Sequence, residues 1–343
     1  MEVLALTDFV WPVAGKLWHV FYTIVMPVLL VAAVGYVLQR RLGLDMPTLT
    51  RLNFYFVIPC LVFVSLLTSR ITPGRAFTVV LFNLAATAAM AALTYFLAVV
   101  RKVPPDQRSA MLMTTIFHNS GNYGLPLQRL AFRGTRFAEQ AEPLQIFVML
   151  TQNFTGFTIG ILLAASGKAG TRWREKLVQI AKFPPLYALA AGLITIQIRN
   201  ALGQSAAAEA GRALSPFWEV LTYIKSAFYA VALCTLGAQL ATIRRGGNRY
   251  PVRLSVVLRL LIGPAIGLAM IYAFGLRGFL AQLLLISCAT PTAVNCMLMC
   301  LEFDNHPNYP ARAVFYSTLL SPITVTLTIF LAQGNFLPPL LVP

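Results

Sequence analysis

The residues best equipped for chemistry lie together in one stretch, His118-Asn119-Ser120-Gly121-Asn122-Tyr123-Gly124-Leu125-Pro126, inside an apolar segment bounded by Met111-Leu112-Met113 and Leu127. Asn119 and Asn122 carry amides that both donate and accept, and Tyr123 adds a hydroxyl. His118 titrates near neutral pH and is a candidate proton-coupling group; a hydrogen-bonded helix residue is the plainer reading. Gly121 and Gly124 let the backbone leave helical geometry cheaply. Pro126 has no N–H, and its ring opposes the preceding turn. In lipid, backbone polar groups must be satisfied within the protein. The stretch is therefore either a kinked helix with no binding role or a broken helix forming a polar site near mid-depth. Taken alone, it fits both.

A second interruption, Ala289-Thr290-Pro291-Thr292-Ala293-Val294-Asn295, lies about half a chain later, and Asn153 and Ser321-Pro322 fall mid-span in the segments that follow each break. Matching Gly/Pro-interrupted segments in two halves point to the binding site of an inverted-repeat transporter. Two half-helix N-termini would meet there, each worth roughly 0.3–2 kcal/mol to a nearby anion, with free N–H groups as donors. No Asp, Glu, Lys or Arg is expected near either break, because Lys225 and Arg259 are close enough to span ends to snorkel. A metal cation would call for a buried carboxylate, whereas an anion needs only donors. The substrate-binding candidates are Asn119, Asn122, Tyr123, Pro126, Asn153, Pro291, Thr292 and Asn295, with a small carboxylate as ligand. No nucleophile–base pair and no metal-ligand cluster is visible, so the sequence suggests no enzyme, no cofactor and no metal.

Composition sets the elements that must hold these residues. Of 343 residues, 58% are hydrophobic and 11% charged, against roughly a quarter charged in soluble domains. The apolar runs exceed the ~10 residues of a barrel strand. The expected fold is an all-α integral membrane protein. It has ten transmembrane helices in two inverted five-helix repeats, residues 1–165 and 185–343, with broken crossing helices four and nine. A basic cytoplasmic connector, 166–184, joins the halves. The sixth span is expected over about Pro185 to Ile198, with a polar Ala-rich loop before the seventh. The net charge of +16 comes from Lys and Arg in the gaps, where they serve as topology signals and lipid anchors rather than nucleic-acid contacts. Their bias favours a multi-pass protein of the cell (inner) membrane with both termini non-cytoplasmic. The five cysteines sit inside apolar runs without Cys-x-x-Cys spacing and are expected to be packing residues.

The run Phe117-His118-Asn119-Ser120-Gly121-Asn122-Tyr123-Gly124-Leu125-Pro126-Leu127 resembles the fourth-helix signature of the auxin efflux carrier family. So do Ala289 to Asn295, Leu301-Glu302-Phe303-Asp304 and Ser317-Thr318-Leu319-Leu320-Ser321-Pro322. The resemblance implies a fold similar to that of bile-acid/sodium symporters. Spans three to five and eight to ten would form a mobile transport domain, and spans one, two, six and seven a scaffold that often forms a homodimer. It implies carboxylate transport by an elevator-type movement, with Asn119 among the binding residues. The chain lacks the long loop between halves of many plant exporters and so looks like a prokaryotic permease. It also lacks the buried acids of sodium-coupled relatives. A sodium-coupled symporter of the same fold and a carboxylate-sensing receptor are the alternatives.

Overall fold

The computed structural model describes residues 13–69, 71–165, 184–243 and 250–334, with residues 165 and 203–208 described as backbone only. The expected connector, apart from Pro184, lies outside the described residues. The described chain is helical throughout, apart from one isolated antiparallel pairing of two residues. In order, the elements are α1 (Val13–Leu42), α2 (Met46–Thr68), α3 (Pro73–Val100), α4 (Pro105–Ile116), α5 (Gly124–Ala131) and α6 (Ala138–Ala164). There follow α7 (Pro184–Ala213), α8 (Ser215–Thr242), α9 (Val252–Ala273), α10 (Gly278–Cys288), α11 (Val294–Glu302) and α12 (Asn308–Gln333). Seven of them (α1, α2, α3, α6, α8, α9 and α12) are long and apolar enough to cross a membrane. The protein is an integral, multi-pass membrane protein.

Helix ends follow local chemistry. Gly43 takes a left-handed conformation, φ 62°, to close α1 behind Arg40 and Arg41, as C-terminal glycines and last-turn cations do. Asp45 caps α2 by accepting from Thr48 N–H at 3.1 Å, and a proline opens α3, α4 and α7. The sixth segment differs from expectation. α7 runs through to Ala213, so the Ala-rich stretch placed in a loop is helix, consistent with alanine's high helix propensity.

Four helices contain one wide π turn: Phe21–Val25 in α1, Asn53–Val57 in α2, Gly156–Gly160 in α6 and Leu258–Ile262 in α9. In three of them a proline follows two residues after the turn, namely Pro27, Pro59 and Pro264. Proline cannot donate to the carbonyl four residues back, and its ring crowds that carbonyl; the wide turn absorbs both effects. The fourth is bracketed by glycines.

α1 packs along α8, and α2 along α7 and α8. α1 and α8 approach so closely that a Cβ on Gly35 would lie 2.0 Å from the Cys234 carbonyl, and one on Gly237 1.7 Å from the Ala32 carbonyl. Elsewhere, α3 packs on α4, α6 and α9, and α12 packs on α10 and α11. One apolar cluster joins these two groups: Val57, Ile58, Leu61 and Val62 of α2 meet Leu125 of α5, Ile146 and Met149 of α6, and Phe228 of α8.

Candidate functional site at the crossing of two broken helices

The two interruptions cross. His118 and Thr292 pair as an antiparallel bridge: Asn119 N–H donates to the Pro291 carbonyl at 2.7 Å, and Ala293 N–H donates to the Phe117 carbonyl at 3.0 Å. Each break thus satisfies backbone groups that the other would leave bare in lipid. Side chains tighten the crossing. Thr292 Oγ1 donates to the Thr114 carbonyl at 2.8 Å, Ser317 Oγ accepts from Thr292 N–H at 3.1 Å, and Gln145 Nε2 donates to the Ser120 carbonyl at 2.9 Å. Gly124 leaves room for this bond, since a Cβ there would lie 2.7 Å from Gln145 Nε2 and 3.2 Å from the Asn119 carbonyl.

Four half-helices end at this point, and their polarity divides the site in two. The C-terminal ends of α4 and α10 face Arg259 of α9, which is 4% exposed. Its Nη1 donates to the Thr115 carbonyl at 2.9 Å, and its Nη2 donates to the Cys288 carbonyl. Each helix C-terminus carries about −0.5 charge, so one guanidinium matches two ends. This corrects the expectation that Arg259 snorkels and that no charged side chain lies near a break. Carbonyls orphaned by the breaks hold the cation at depth. Lys225 likewise does not simply reach water, because it pairs with Glu142 at 2.6 Å.

The N-terminal ends of α5 and α11 lie on the other side, around a small cavity lined by His118, Asn119, Asn122, Asn153, Asn295 and, from α2, Phe54. Asn119, 7% exposed, spends its side-chain carbonyl on Tyr123 N–H at 3.3 Å, while its Nδ2 is buried with no partner. The start of α11 at Val294 has no side-chain cap. Asn122 Oδ1 accepts from Asn53 Nδ2 at 3.3 Å. What remains is a set of amide donors with no carboxylate in the lining, which suits an anion. Phe54 and Asn295 also line a wider cleft of about 330 Å³, together with Arg51 and Glu302.

His118 stands at the centre of the crossing. The Thr290 hydroxyl donates to the Ser287 carbonyl at 2.7 Å and therefore accepts from His118 Nδ1 at 2.8 Å. The neutral ring thus carries its proton on Nδ1 and keeps Nε2 as an acceptor.

Of the sequence-derived candidates, Asn119, Asn122, Asn153 and Asn295 come together on this cavity. The other substrate-binding candidates do not line it. Tyr123 is fully buried, its hydroxyl 3.2 Å from Ser321 Oγ. Pro126 sits in the first turn of α5, where no N–H is needed. Pro291 and Thr292 hold the crossing itself. Asn53 and Gln145 escaped the sequence reading, and Arg259 was read there as a snorkelling residue. For Asn53 and Arg259 a signal existed, since each lies in the π turn ahead of an in-helix proline, a feature common at functional sites.

Comparison with known proteins agrees with a transport role. The family model described as "Membrane transport protein" matches residues 20–180 and 172–329. The chain is 30% identical over 115 residues to Auxin efflux carrier component 1 of Arabidopsis thaliana, covering 32% of this chain and 18% of that protein. It is 25% identical over 309 residues to an uncharacterized transporter of Methanothermobacter thermautotrophicus, covering 88% and 95%. A probable auxin efflux carrier component 1b of Oryza sativa subsp. japonica matches at 33% over 78 residues, 22% of this chain and 14% of that protein. The match thus spans under a fifth of the plant carriers' length and nearly all of the Methanothermobacter protein.

Proposed function

The chain belongs to the membrane transport protein family that includes the auxin efflux carriers, and from that we propose that it is a secondary carrier of a small organic anion bearing a carboxylate. One observation carries the reading: at the crossing, Asn119 presents a buried, unpartnered amide donor beside the uncapped N-terminus of α11, with no acid in the lining. In this reading the chain is two inverted five-helix repeats, with α4/α5 and α10/α11 as the broken fourth and ninth spans. The body formed by α3–α6 and α9–α12 slides against α1, α2, α7 and α8 in an elevator-type cycle, and the second group supports a homodimer. The termini lie outside in this reading; whatever the orientation, an inside-negative potential drives a monoanion outward by roughly 2.3 kcal/mol per 100 mV. Export then needs no coupling ion, and His118, with Nε2 free, is the group for a proton where one is coupled.

The test is a thermal-shift screen of the purified protein against mono- and dicarboxylates, with and without sodium, repeated on two variants. Asn119→Asp keeps the acceptor that caps Tyr123 N–H but loses the free donor; Asn119→Ala loses both. Both lose carboxylate-induced stabilisation, and Asn119→Asp remains folded. Stabilisation retained in Asn119→Asp overturns the assignment, and stabilisation that appears only with sodium favours the coupled symporter.

A further inference from the structure

On the face opposite the open cleft, a carboxylate already sits in a complete binding site. Glu142 of α6 is received by three donors from the α2/α8 wall: Ser65 Oγ at 2.6 Å, Lys225 Nζ at 2.6 Å and the Tyr229 hydroxyl. Ser65 is 1% exposed, and the Glu142 and Lys225 side chains are 13% and 20% exposed. The Arg129 guanidinium of α5 lies 4.2 Å from the centre of the Tyr229 ring. Glu142, Lys225 and Arg129 also line a cavity of about 680 Å³ together with Arg133 and Glu139.

The donors and the carboxylate come from different groups of helices. A carboxylate accepting a lysine and two hydroxyl groups is satisfied by charge-assisted bonds, the strong kind. Removing it would leave Lys225, a partly buried cation, without its ion-pair partner, which is unfavourable. Any movement that separates α6 from α2 and α8 takes Glu142 away from Ser65, Lys225 and Tyr229 and vacates this pocket.

We propose that Ser65, Lys225 and Tyr229 form a second carboxylate-binding site, held shut by the protein's own Glu142, which an external carboxylate occupies when α6 moves away. The pocket closes this face, toward the end of α2 away from Phe54 of the crossing cavity. Its place in the transport cycle rests on the carrier reading above, whereas the pocket's affinity for carboxylates does not.

Acetate tests the pocket directly. In an Asn119→Asp background, which keeps the cap on Tyr123 N–H but lacks the crossing donor, Glu142→Ala lowers the melting temperature of the purified protein. Acetate, compared with chloride at equal ionic strength, restores at least half of that loss. Adding Lys225→Met abolishes the recovery, and Glu142→Gln, which fills the pocket with an amide, shows none. Equal recovery with and without Lys225, or no recovery, overturns the proposal. Where Glu142→Ala does not survive purification in chloride, the yield of monodisperse protein prepared in acetate against chloride gives the same decision, recovery in acetate supporting the site and failure in both overturning it. Because every arm lacks the Asn119 amide, failure here leaves the crossing site standing, and failure of the crossing site leaves this result readable.

Discussion

Asn119 N–H meets the Pro291 carbonyl at 2.7 Å, so each broken helix is completed by the other rather than by its own next turn. The reciprocal bond from Ala293 N–H to the Phe117 carbonyl makes the pairing symmetric. Neither break can open without exposing backbone groups of both, and in a medium without water that cost is several kcal/mol per group. The crossing is therefore a rigid joint.

Arg259 should be the most sensitive side chain of that joint. Arg259→Met orphans the Thr115 and Cys288 carbonyls, each bonded to the guanidinium now. At about 1–3 kcal/mol per unsatisfied group, the loss is roughly 2–6 kcal/mol. Arg259→Lys, with one point charge in place of a fork, should fall between methionine and wild type. Thermal denaturation of the purified variants in one detergent checks the order; a lysine variant as stable as wild type would exclude the two-carbonyl role.

Glycine substitutions should split by location. Gly237→Ala drives a methyl into the Ala32 carbonyl and Gly35→Ala into that of Cys234, both backbone atoms that cannot rotate away. Overpacking costs about 1–3 kcal/mol, and a backbone obstacle puts these variants at or above the upper end. Gly211, in α7, has nothing within 4 Å of its missing Cβ, so Gly211→Ala should be neutral or stabilising by roughly 0.5–1 kcal/mol. Side-by-side melting curves of the three variants make the comparison.

How much of this was legible follows from the same particulars. Pro126, Pro291 and the glycines and asparagines around them mark the breaks in sequence because they act on their own backbone. The crossing of the breaks is a contact between distant segments, and only their matching positions hinted at it. Arg259 was misjudged for a related reason. An arginine two or three turns from a span end snorkels unless something holds it, and here the holders are carbonyls from α4 and α10 that no local pattern announces. The extension of α7 to Ala213 shows the opposite error, where a polar-looking stretch obeys its alanines.

Asp45 gives a pH prediction in the loop between α1 and α2. The Thr48 hydroxyl, followed by the Thr48 N–H, holds its carboxyl below the ordinary carboxylate value. A depressed folded pKa contributes stability that is present above the unfolded value of about 3.9 and lost as pH falls through the folded value. Wild type should therefore outlast Asp45→Ala at neutral pH, and the gap should close only in acid below the usual carboxylate range. A gap that closes near pH 6–7, where histidine titrates, would assign the effect to another group.

Asn53 separates positioning from binding at the crossing. It is 1% exposed, reaches from α2 to Asn122 at 3.3 Å, and its Oδ1 has no partner. By donating to Asn122 Oδ1, it leaves the Asn122 amide nitrogen as the free end. Asn53→Ala removes that orientation and should weaken carboxylate binding by several-fold to tenfold, within the 1.4 kcal/mol of one good neutral hydrogen bond. Asn53→Asp should be worse although its shape is nearly unchanged, because it places a negative charge beside the proposed anion site and offers Asn122 an acceptor in place of a donor. Asn122 would then have to turn its amide nitrogen toward residue 53 and its oxygen toward the ligand. Titration calorimetry with the best carboxylate from the screen should rank wild type above Asn53→Ala above Asn53→Asp. An aspartate variant that binds as well as the alanine variant would show that Asn53 borders the site without shaping its charge preference.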